Sequence, residues 1–174
     1  MTETQVRPDH GDFATDTRLV EWARPGQGDF DKLLGATGLE QLQMMATGEL
    51  PRPPLMDTLG MTAFRPSRGS VVVEMPAAAF HYNPLGSVHG GVISAMLDTA
   101  AGCSVHSLLE VGEMYTSLDL TVKFLRPVTV DSGLLVCEGS VIQRGRRTAL
   151  AQAELVDEQG KLLAHAISSC MIFS

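Results

Sequence analysis

The sequence predicts an α+β fold in which an antiparallel β-sheet wraps around one long buried helix. Residues 90–109 lack proline and are apolar on nearly every side, which is typical of a helix buried all round. Five or six other segments have the length and alternation of strands. A sheet curled around a single apolar helix covers the hydrophobic surfaces of both.

Strand patterns lie on both sides of this helix. Residues 61–64 and 71–75 flank the turn at residues 66–69 and predict an antiparallel pair. Residues 114–126 alternate most clearly and predict one long strand, with apolar side chains on one face at Leu118, Leu120, Val122 and Phe124. Three further strands are predicted, at residues 134–143, 147–156 and 161–173.

The chain divides into an N-terminal extension, residues 1–54, and a main domain, residues 55–174. The extension contains a brief apolar run at residues 19–23 and predicts one or two short helices. The clearer one covers residues 39–45, where apolar residues recur at helical spacing before Gly48 and three prolines stop it.

Composition excludes several classes of function. A net charge of −7 opposes general attraction to nucleic acid, and no stretch approaches the roughly 20 apolar residues of a membrane span. Residues 1–7 are polar and lack the features of a secretory signal, so a cytoplasmic location is expected. Cys103, Cys137 and Cys170 have no spacing that suggests zinc or a disulfide framework, and each is predicted to be a small buried residue.

Asp98 is the one charged residue in the apolar helix. Its helical neighbours are small, namely Ser94, Ala95, Ala101 and Gly102, so a ligand could approach it closely. An exposed carboxylate without a function is the alternative for an isolated aspartate. The residues just upstream favour a functional site, because unpaired N–H groups at the helix start, in Gly90 and Gly91, suit a developing oxyanion.

The spacing Asn83-x5-His89-Gly90-Gly91-x6-Asp98, followed by a strand that ends in Phe124-Leu125-Arg126-Pro127, resembles the PaaI-like branch of the hotdog-fold thioesterases. The resemblance covers roughly residues 55–174. It implies a hotdog fold and hydrolysis of acyl-CoA without a metal or an organic cofactor. It also implies a homodimer that commonly pairs into a tetramer.

The resemblance also implies roles for individual residues. The catalytic carboxylate falls on Asp98, as nucleophile or as general base, and the oxyanion donor falls on the backbone N–H of Gly90. His89 and Asn83 fall on positions that orient the thioester or the water. A hydroxyl near the start of the strand after the helix best matches Ser117, with Thr116 one place away.

A basic turn offers a site for the phosphates of coenzyme A. The turn covers residues 144–147, and its candidate residues are Gly145, Arg146 and Arg147; Arg126, at the end of the alternating strand, is a further candidate. Guanidinium groups suit phosphate, and solvated surface arginines are the alternative. The other histidines, His10, His81, His106 and His165, have no spacing that suggests a metal site and are interpreted as structural or surface groups.

Helix geometry independently predicts a site shared between two subunits. Eight residues at the helical rise separate Gly90 from Asp98 by about 12 Å, too far for both to reach one carbonyl carbon. A two-fold axis that sets two such helices antiparallel would bring Gly90 of one chain against Asp98 of the other.

Two other functions remain open from the sequence. A non-catalytic acyl-CoA-binding hotdog protein could keep the fold and the basic turn, although it would not need Asp98. A hydratase acting on enoyl-CoA wants an aspartate and a histidine a few residues apart, whereas the nearest downstream histidine, His106, lies two helical turns from Asp98.

Overall fold

The computed structural model describes residues 10–174, so the polar segment at residues 1–7 lies outside the described part of the chain. The described residues form four α-helices, at Gln27–Leu34 (α1), Gly38–Thr47 (α2), Pro54–Leu59 (α3) and Gly90–His106 (α4). The strands are Ala63–Ser67 (β1), Ser70–Pro76 (β2), Met114–Ser117 (β3), Thr121–Phe124 (β4), Leu134–Arg144 (β5), Thr148–Val156 (β6) and Leu162–Phe173 (β7). Two 3₁₀ turns complete the described elements, at Ala79–His81 and Val130–Ser132.

The strands form one antiparallel sheet in the order β1-β2-β5-β6-β7-β3, and β4 also pairs with β7. The register places Ser117 opposite Cys170 and Phe124 opposite Ala164. These two pairs lie toward opposite ends of β7, so this strand fixes the distance between Ser117 and Phe124.

The prediction of one strand over residues 114–126 was wrong, because the chain forms β3 and β4 with a break between them. Asp119 causes the break by bonding to β7 with its side chain. Its Oδ1 accepts the Ser169 N–H at 3.1 Å, and its carbonyl accepts the Ser168 hydroxyl at 2.8 Å. The apolar face is only half covered: Leu120 and Val122 pack against the core, whereas Leu118 is 58% and Phe124 54% exposed.

Helix α4 is the centre of the fold, as its apolar sequence predicted. Met96, Leu97 and Val105 are fully buried against the sheet. Gly139 of β5 lets the strand approach closely, because a Cβ there would lie 2.1 Å from the Ala100 carbonyl oxygen. The helix ends at His106 rather than at residue 109, and the α+β fold with an antiparallel sheet around one long helix is confirmed.

Helix α2 packs at the C-terminal end of α4. Thr37 and Glu40 cap α2 reciprocally, and the Gly38 N–H donates to the Leu109 carbonyl at 2.9 Å. The His106 ring bonds to the Gln41 side chain at 2.8 Å, which gives this histidine a structural role. The apolar run at residues 19–23 is not helical.

The described residues also bear on disulfides, membrane-spanning helices and metal-binding groups. The three cysteines are free, with Cys137 and Cys170 buried and Cys103 partly exposed. Within residues 10–174, no helix is both long and apolar enough to cross a membrane. The same residues contain no group of three or more histidine, cysteine, aspartate or glutamate side chains able to hold a metal ion.

Candidate active site

The start of α4 leaves one backbone donor open. His89 is the N-cap residue, with extended backbone angles, and its Nδ1 accepts the Gly91 N–H at 2.8 Å. This contact places the proton of the neutral imidazole on Nε2. Among residues 10–174 the Gly90 N–H has no acceptor, as expected for the first residue of a helix. Gly90 therefore offers its N–H to a ligand, whereas Gly91 does not.

The loop before α4 is held by Asn83. Its Oδ1 accepts the Leu85 N–H at 2.8 Å and the Ser87 N–H at 3.4 Å, and its Nδ2 donates to the Ser87 hydroxyl at 3.0 Å. Such contacts from an asparagine to the next few residues close a tight loop. Asn83 thus shapes the approach to Gly90 with both ends of its amide.

A cleft of about 380 Å³ lies at this end of α4. Its wall is mainly apolar, with polar groups at Asn83, Ser87 and Arg126. The Phe124 ring covers Gly90 so closely that a Cβ on the glycine would lie 3.1 Å from the ring Cζ. The cleft therefore combines an open N–H donor with an apolar wall, a suitable lining for a small-molecule site.

Asp98 lies outside this cleft, on an exposed part of α4. The Ser117 hydroxyl donates to its Oδ1 at 3.3 Å, whereas the Thr116 hydroxyl bonds to the Ser117 carbonyl at 3.4 Å. The structure thus brings Ser117, and not Thr116, to the carboxylate. Within one chain Asp98 and the Gly90 N–H do not share a cleft.

Two of the small residues beside Asp98 pack within the chain and do not leave space for a ligand. Ala101 is fully buried in the core, and a Cβ on Gly102 would lie 2.7 Å from the Tyr115 hydroxyl. Ser94 and Ala95 remain partly exposed beside the carboxylate. Burial, with a smaller contribution from Asp98, raises the pKa of the Cys103 thiol to about 12, so this cysteine is not a nucleophile at neutral pH.

The structure separates the candidate phosphate-binding arginines into two groups. Arg126 lines the cleft, and its guanidinium donates to the Leu162 carbonyl at the start of β7. Arg146 and Arg147 line a second cavity of about 420 Å³, and the Arg147 carbonyl accepts the Ile172 N–H at the end of β7. Nine residues of strand separate these ends by about 30 Å, so one chain does not bring all three arginines together.

The neighbouring arginine of the basic turn has a structural partner. Arg144 forms an ion pair with Glu113 at 2.5 Å, while Arg146 and Arg147 are exposed and have no ion pair among residues 10–174. Gly145 closes the turn through its N–H, which donates to the Thr148 carbonyl at 2.8 Å. The charges of Arg146 and Arg147 are thus free for an anionic ligand.

Phe124 is the site residue that sequence reasoning missed, together with the apolar wall formed by Val88, Ile93, Leu125 and Val128. The alternation of residues 114–126 indicated only that the Phe124 side chain belonged to the apolar face of a strand. Its position at the end of the strand, just before Leu125-Arg126-Pro127, was the available signal. Its contact with Gly90 depends on tertiary packing.

Comparisons with known proteins agree with this fold. A family profile described as the thioesterase superfamily matches residues 85–164. A 1,4-dihydroxy-2-naphthoyl-CoA hydrolase of Listeria monocytogenes is 27% identical over 118 residues, which cover 68% of this chain and 93% of that protein.

Solved structures show the same similarity. A phenylacetic acid degradation-related protein of Ralstonia eutropha is 35% identical, with a TM-score of 0.68 over 75% of this chain and 98% of its own. The E. coli PaaI protein is 25% identical, also with a TM-score of 0.68, over 79% of this chain and 94% of its own. This chain therefore belongs to the thioesterase superfamily, as a PaaI-like protein with the hotdog fold.

Proposed function

We propose that this protein hydrolyses acyl-CoA thioesters to the free acid and coenzyme A, at two equivalent sites in a homodimer. The observation that carries the proposal is that one chain holds the oxyanion donor and the carboxylate in two separate places. The open Gly90 N–H lies in the apolar cleft, while Asp98 with the Ser117 hydroxyl lies outside it. One chain therefore holds both halves of a thioesterase site without assembling them.

A two-fold axis between antiparallel α4 helices supplies the missing half. The cleft of one subunit would contribute Gly90, His89 and Asn83, and the partner would contribute its own copies of Asp98 and Ser117. The exposed apolar side chains at Leu118 and Phe124 support an interface here, because Leu118 directly follows β3 and Phe124 ends β4, next to the site. Pairing of two such dimers into a homotetramer is part of the proposal.

Hydrolysis needs a base or nucleophile on one side of the carbonyl and an oxyanion donor on the other. Asp98 as general base takes a proton from water while the water oxygen bonds to the carbonyl carbon, and the Gly90 N–H stabilises the resulting oxyanion. The carbon–sulfur bond then breaks, and the proton passes from Asp98 to the departing thiolate. If Asp98 attacks directly, its oxygen bonds to the carbonyl carbon, the carbon–sulfur bond breaks and coenzyme A leaves as the thiolate. Water then cleaves the resulting acyl-enzyme anhydride to the free acid and the Asp98 carboxylate, and the proton released protonates the thiolate.

Recognition of coenzyme A would also draw on both subunits. Arg126 lies in the cleft beside Gly90, whereas Arg146 and Arg147 lie beyond Asp98 toward the C-terminal end of α4. In an antiparallel dimer, the Arg146–Arg147 turn of the subunit that supplies Asp98 lies toward the open side of the cleft. The proposed phosphate site is therefore Arg126 of one chain with the basic turn of its partner. The Listeria relative, named as a CoA hydrolase, supports a CoA thioester as substrate.

Replacement of Asp98 by asparagine tests the catalytic assignment. The amide is nearly isosteric but neither attacks a thioester nor accepts a proton at neutral pH, so turnover should fall by about a hundredfold or more. Release of coenzyme A is followed with a thiol reagent over a panel of acyl-CoA substrates. Asp119→Asn is the matched control, because this carboxylate accepts the Ser169 N–H through one oxygen, as an amide oxygen also can.

Parent-like turnover in Asp98→Asn would refute the role of Asp98. If the parent binds acyl-CoA but releases no thiol from any substrate of the panel, the protein is instead a non-catalytic acyl-CoA-binding hotdog protein. A loss that is equal in Asp98→Asn and Asp119→Asn would indicate a general effect of charge or stability.

A further inference from the structure

The C-terminal end of α3 is held by side chains from two distant segments. The Arg18 guanidinium donates to the Thr58 carbonyl at 2.6 Å and to the Asp57 carbonyl at 2.9 Å. His81 Nε2 donates to the Leu59 carbonyl at 2.8 Å. Carbonyls in the last turn of a helix need such partners, and a cation there also interacts favourably with the helix dipole.

The same guanidinium contacts the residue next to His81. Arg18 Cζ lies 4.2 Å from the centre of the Phe80 ring, which is itself 4.1 Å from the His81 ring centre. Gly60 makes room for this arrangement, because a Cβ there would lie 3.1 Å from an Arg18 nitrogen. The N-terminal segment is thus attached by one arginine that makes both hydrogen bonds and a cation–π contact.

His81 is connected in turn to the start of α4. Its backbone carbonyl accepts the His89 N–H at 2.8 Å, and an isolated bridge joins Tyr82 to Val88. His89 is the N-cap residue whose side chain holds Gly91 and leaves the Gly90 N–H open. Arg18, α3, His81 and His89 therefore form a continuous chain of contacts that ends at the proposed oxyanion donor.

We propose that Arg18 and His81 are positioning residues, through which the N-terminal segment fixes the loop at residues 79–89 and so the direction of the Gly90 N–H. The inference rests on the proposed function for its activity readout only. Arg18 lies outside residues 85–164, which match the family profile, so the contact that it makes is contributed by the N-terminal extension of this chain.

The hydrogen bonds of His81 require a neutral ring. Nδ1 accepts the Ala78 N–H at 3.3 Å while Nε2 donates, and a proton on Nδ1 would remove that acceptor. Burial lowers the pKa of His81, the bond to Leu59 opposes this effect, and the Arg18 charge lowers the pKa further. The other ionisable groups of this region are Asp57, paired with Arg52 at 2.5 Å, and the His89 ring. Loss of Arg18 should therefore raise the pKa of His81 and let it protonate nearer to neutral pH.

Full-length Arg18→Ala tests the proposal against Arg24→Ala, which removes an exposed arginine of the same segment that makes no ion pair or side-chain hydrogen bond within residues 10–174. NMR titration of the His81 ring should give a higher pKa in Arg18→Ala than in the parent. Hydrogen exchange at the His89 amide should be about tenfold faster, and kcat/KM for acyl-CoA about three- to tenfold lower, because the donor is less well oriented. Arg24→Ala should match the parent in all three measurements.

Arg18→Lys separates charge from geometry and serves if Arg18→Ala does not fold. It should keep the pKa of His81 near the parent value while the exchange at His89 rises, because an ammonium lacks the planar fork of a guanidinium. Unchanged exchange at His89 in both variants would overturn the proposal, and so would faster exchange with unaltered kcat/KM. A parent without turnover would contradict the proposed function instead, and the titration and exchange would still test the connection.

Discussion

Gly90 meets two separate physical requirements of the cleft. Its N–H is the open donor at the start of α4, and its lack of a side chain lets the Phe124 ring pack directly against it. The neighbouring Gly91 differs, because its N–H is already bonded to His89 and a Cβ there would lie 3.0 Å from that ring. The two adjacent glycines therefore have different roles. Gly90 offers its N–H to the proposed ligand, and Gly91 completes the helix cap.

Gly90→Ala should lower kcat/KM by about ten- to a hundredfold, since the new Cβ displaces the Phe124 ring and alters the wall beside the oxyanion donor. Shortening the ring in Gly90→Ala/Phe124→Leu should restore part of the loss, as a double-mutant cycle would show. Gly28→Ala is the control, because a Cβ at this α1 position meets nothing within 4 Å. Parent-like kinetics in Gly90→Ala would show that Gly90 and Phe124 are not part of the active site.

At the scale of elements, β7 determines which arginines can act together. Its first residues hold Arg126 and β4, while its last residues hold the turn that carries Arg146 and Arg147. Helix α4 runs between the same two ends of the sheet, from the cleft at Gly90 past Asp98 to His106. In the proposed dimer, the Arg146–Arg147 turn near a given cleft would therefore come from the partner subunit.

Replacing Arg146 and Arg147 together by alanine should raise KM for acyl-CoA about three- to tenfold at low ionic strength, with a smaller effect on kcat. Phosphate contacts far from the carbonyl stabilise ground and transition states alike, and added salt should reduce the difference. An acyl thioester of N-acetylcysteamine, which lacks the phosphates, should show no such change. Arg24→Ala/Arg68→Ala removes two other exposed arginines and controls for net charge. An unchanged KM for acyl-CoA would show that Arg146 and Arg147 are solvated surface residues that do not bind the phosphates.

At the scale of the whole molecule, the separation of Gly90 from Asp98 is the feature on which the proposed dimer rests. The rise of an α-helix fixes this separation at about 12 Å, and packing of α4 against the sheet prevents the helix from bending to close it. Of the exposed apolar residues, Leu118 directly follows Ser117, which bonds to Asp98, and Phe124 packs against Gly90; a second copy would cover both in the proposed dimer.

Coexpression of Asp98→Ala with Asn83→Ala tests this assembly. Each homodimer should be nearly inactive, because both of its sites lack one group. A hybrid dimer has one intact site, and random pairing makes about half of the dimers hybrid, so activity should return to roughly a quarter of the parent value. Differently tagged chains allow purified hybrids to be assayed directly. Folded hybrids without recovered activity would show that the two residues act within one chain or not together.

The sequence by itself determined the fold class, the buried helix and the residues on which the proposed chemistry rests. Helical and alternating periodicities report which side chains a core must bury, and they located α4, β5, β6 and β7 closely. The spacing of Asn83, His89, Gly90 and Asp98 is likewise a local property of one loop and one helix. It is readable without any long-range contact.

Only the tertiary structure decided how these residues are distributed in space. It broke the predicted strand at Asp119, directed the Gly91 N–H to His89, placed Phe124 over Gly90 and attached Arg18 beside His81. Each of these contacts joins side chains to groups whose positions depend on packing or on the exact cap geometry. Periodicity specifies which face of an element is apolar, but it does not specify what that face meets.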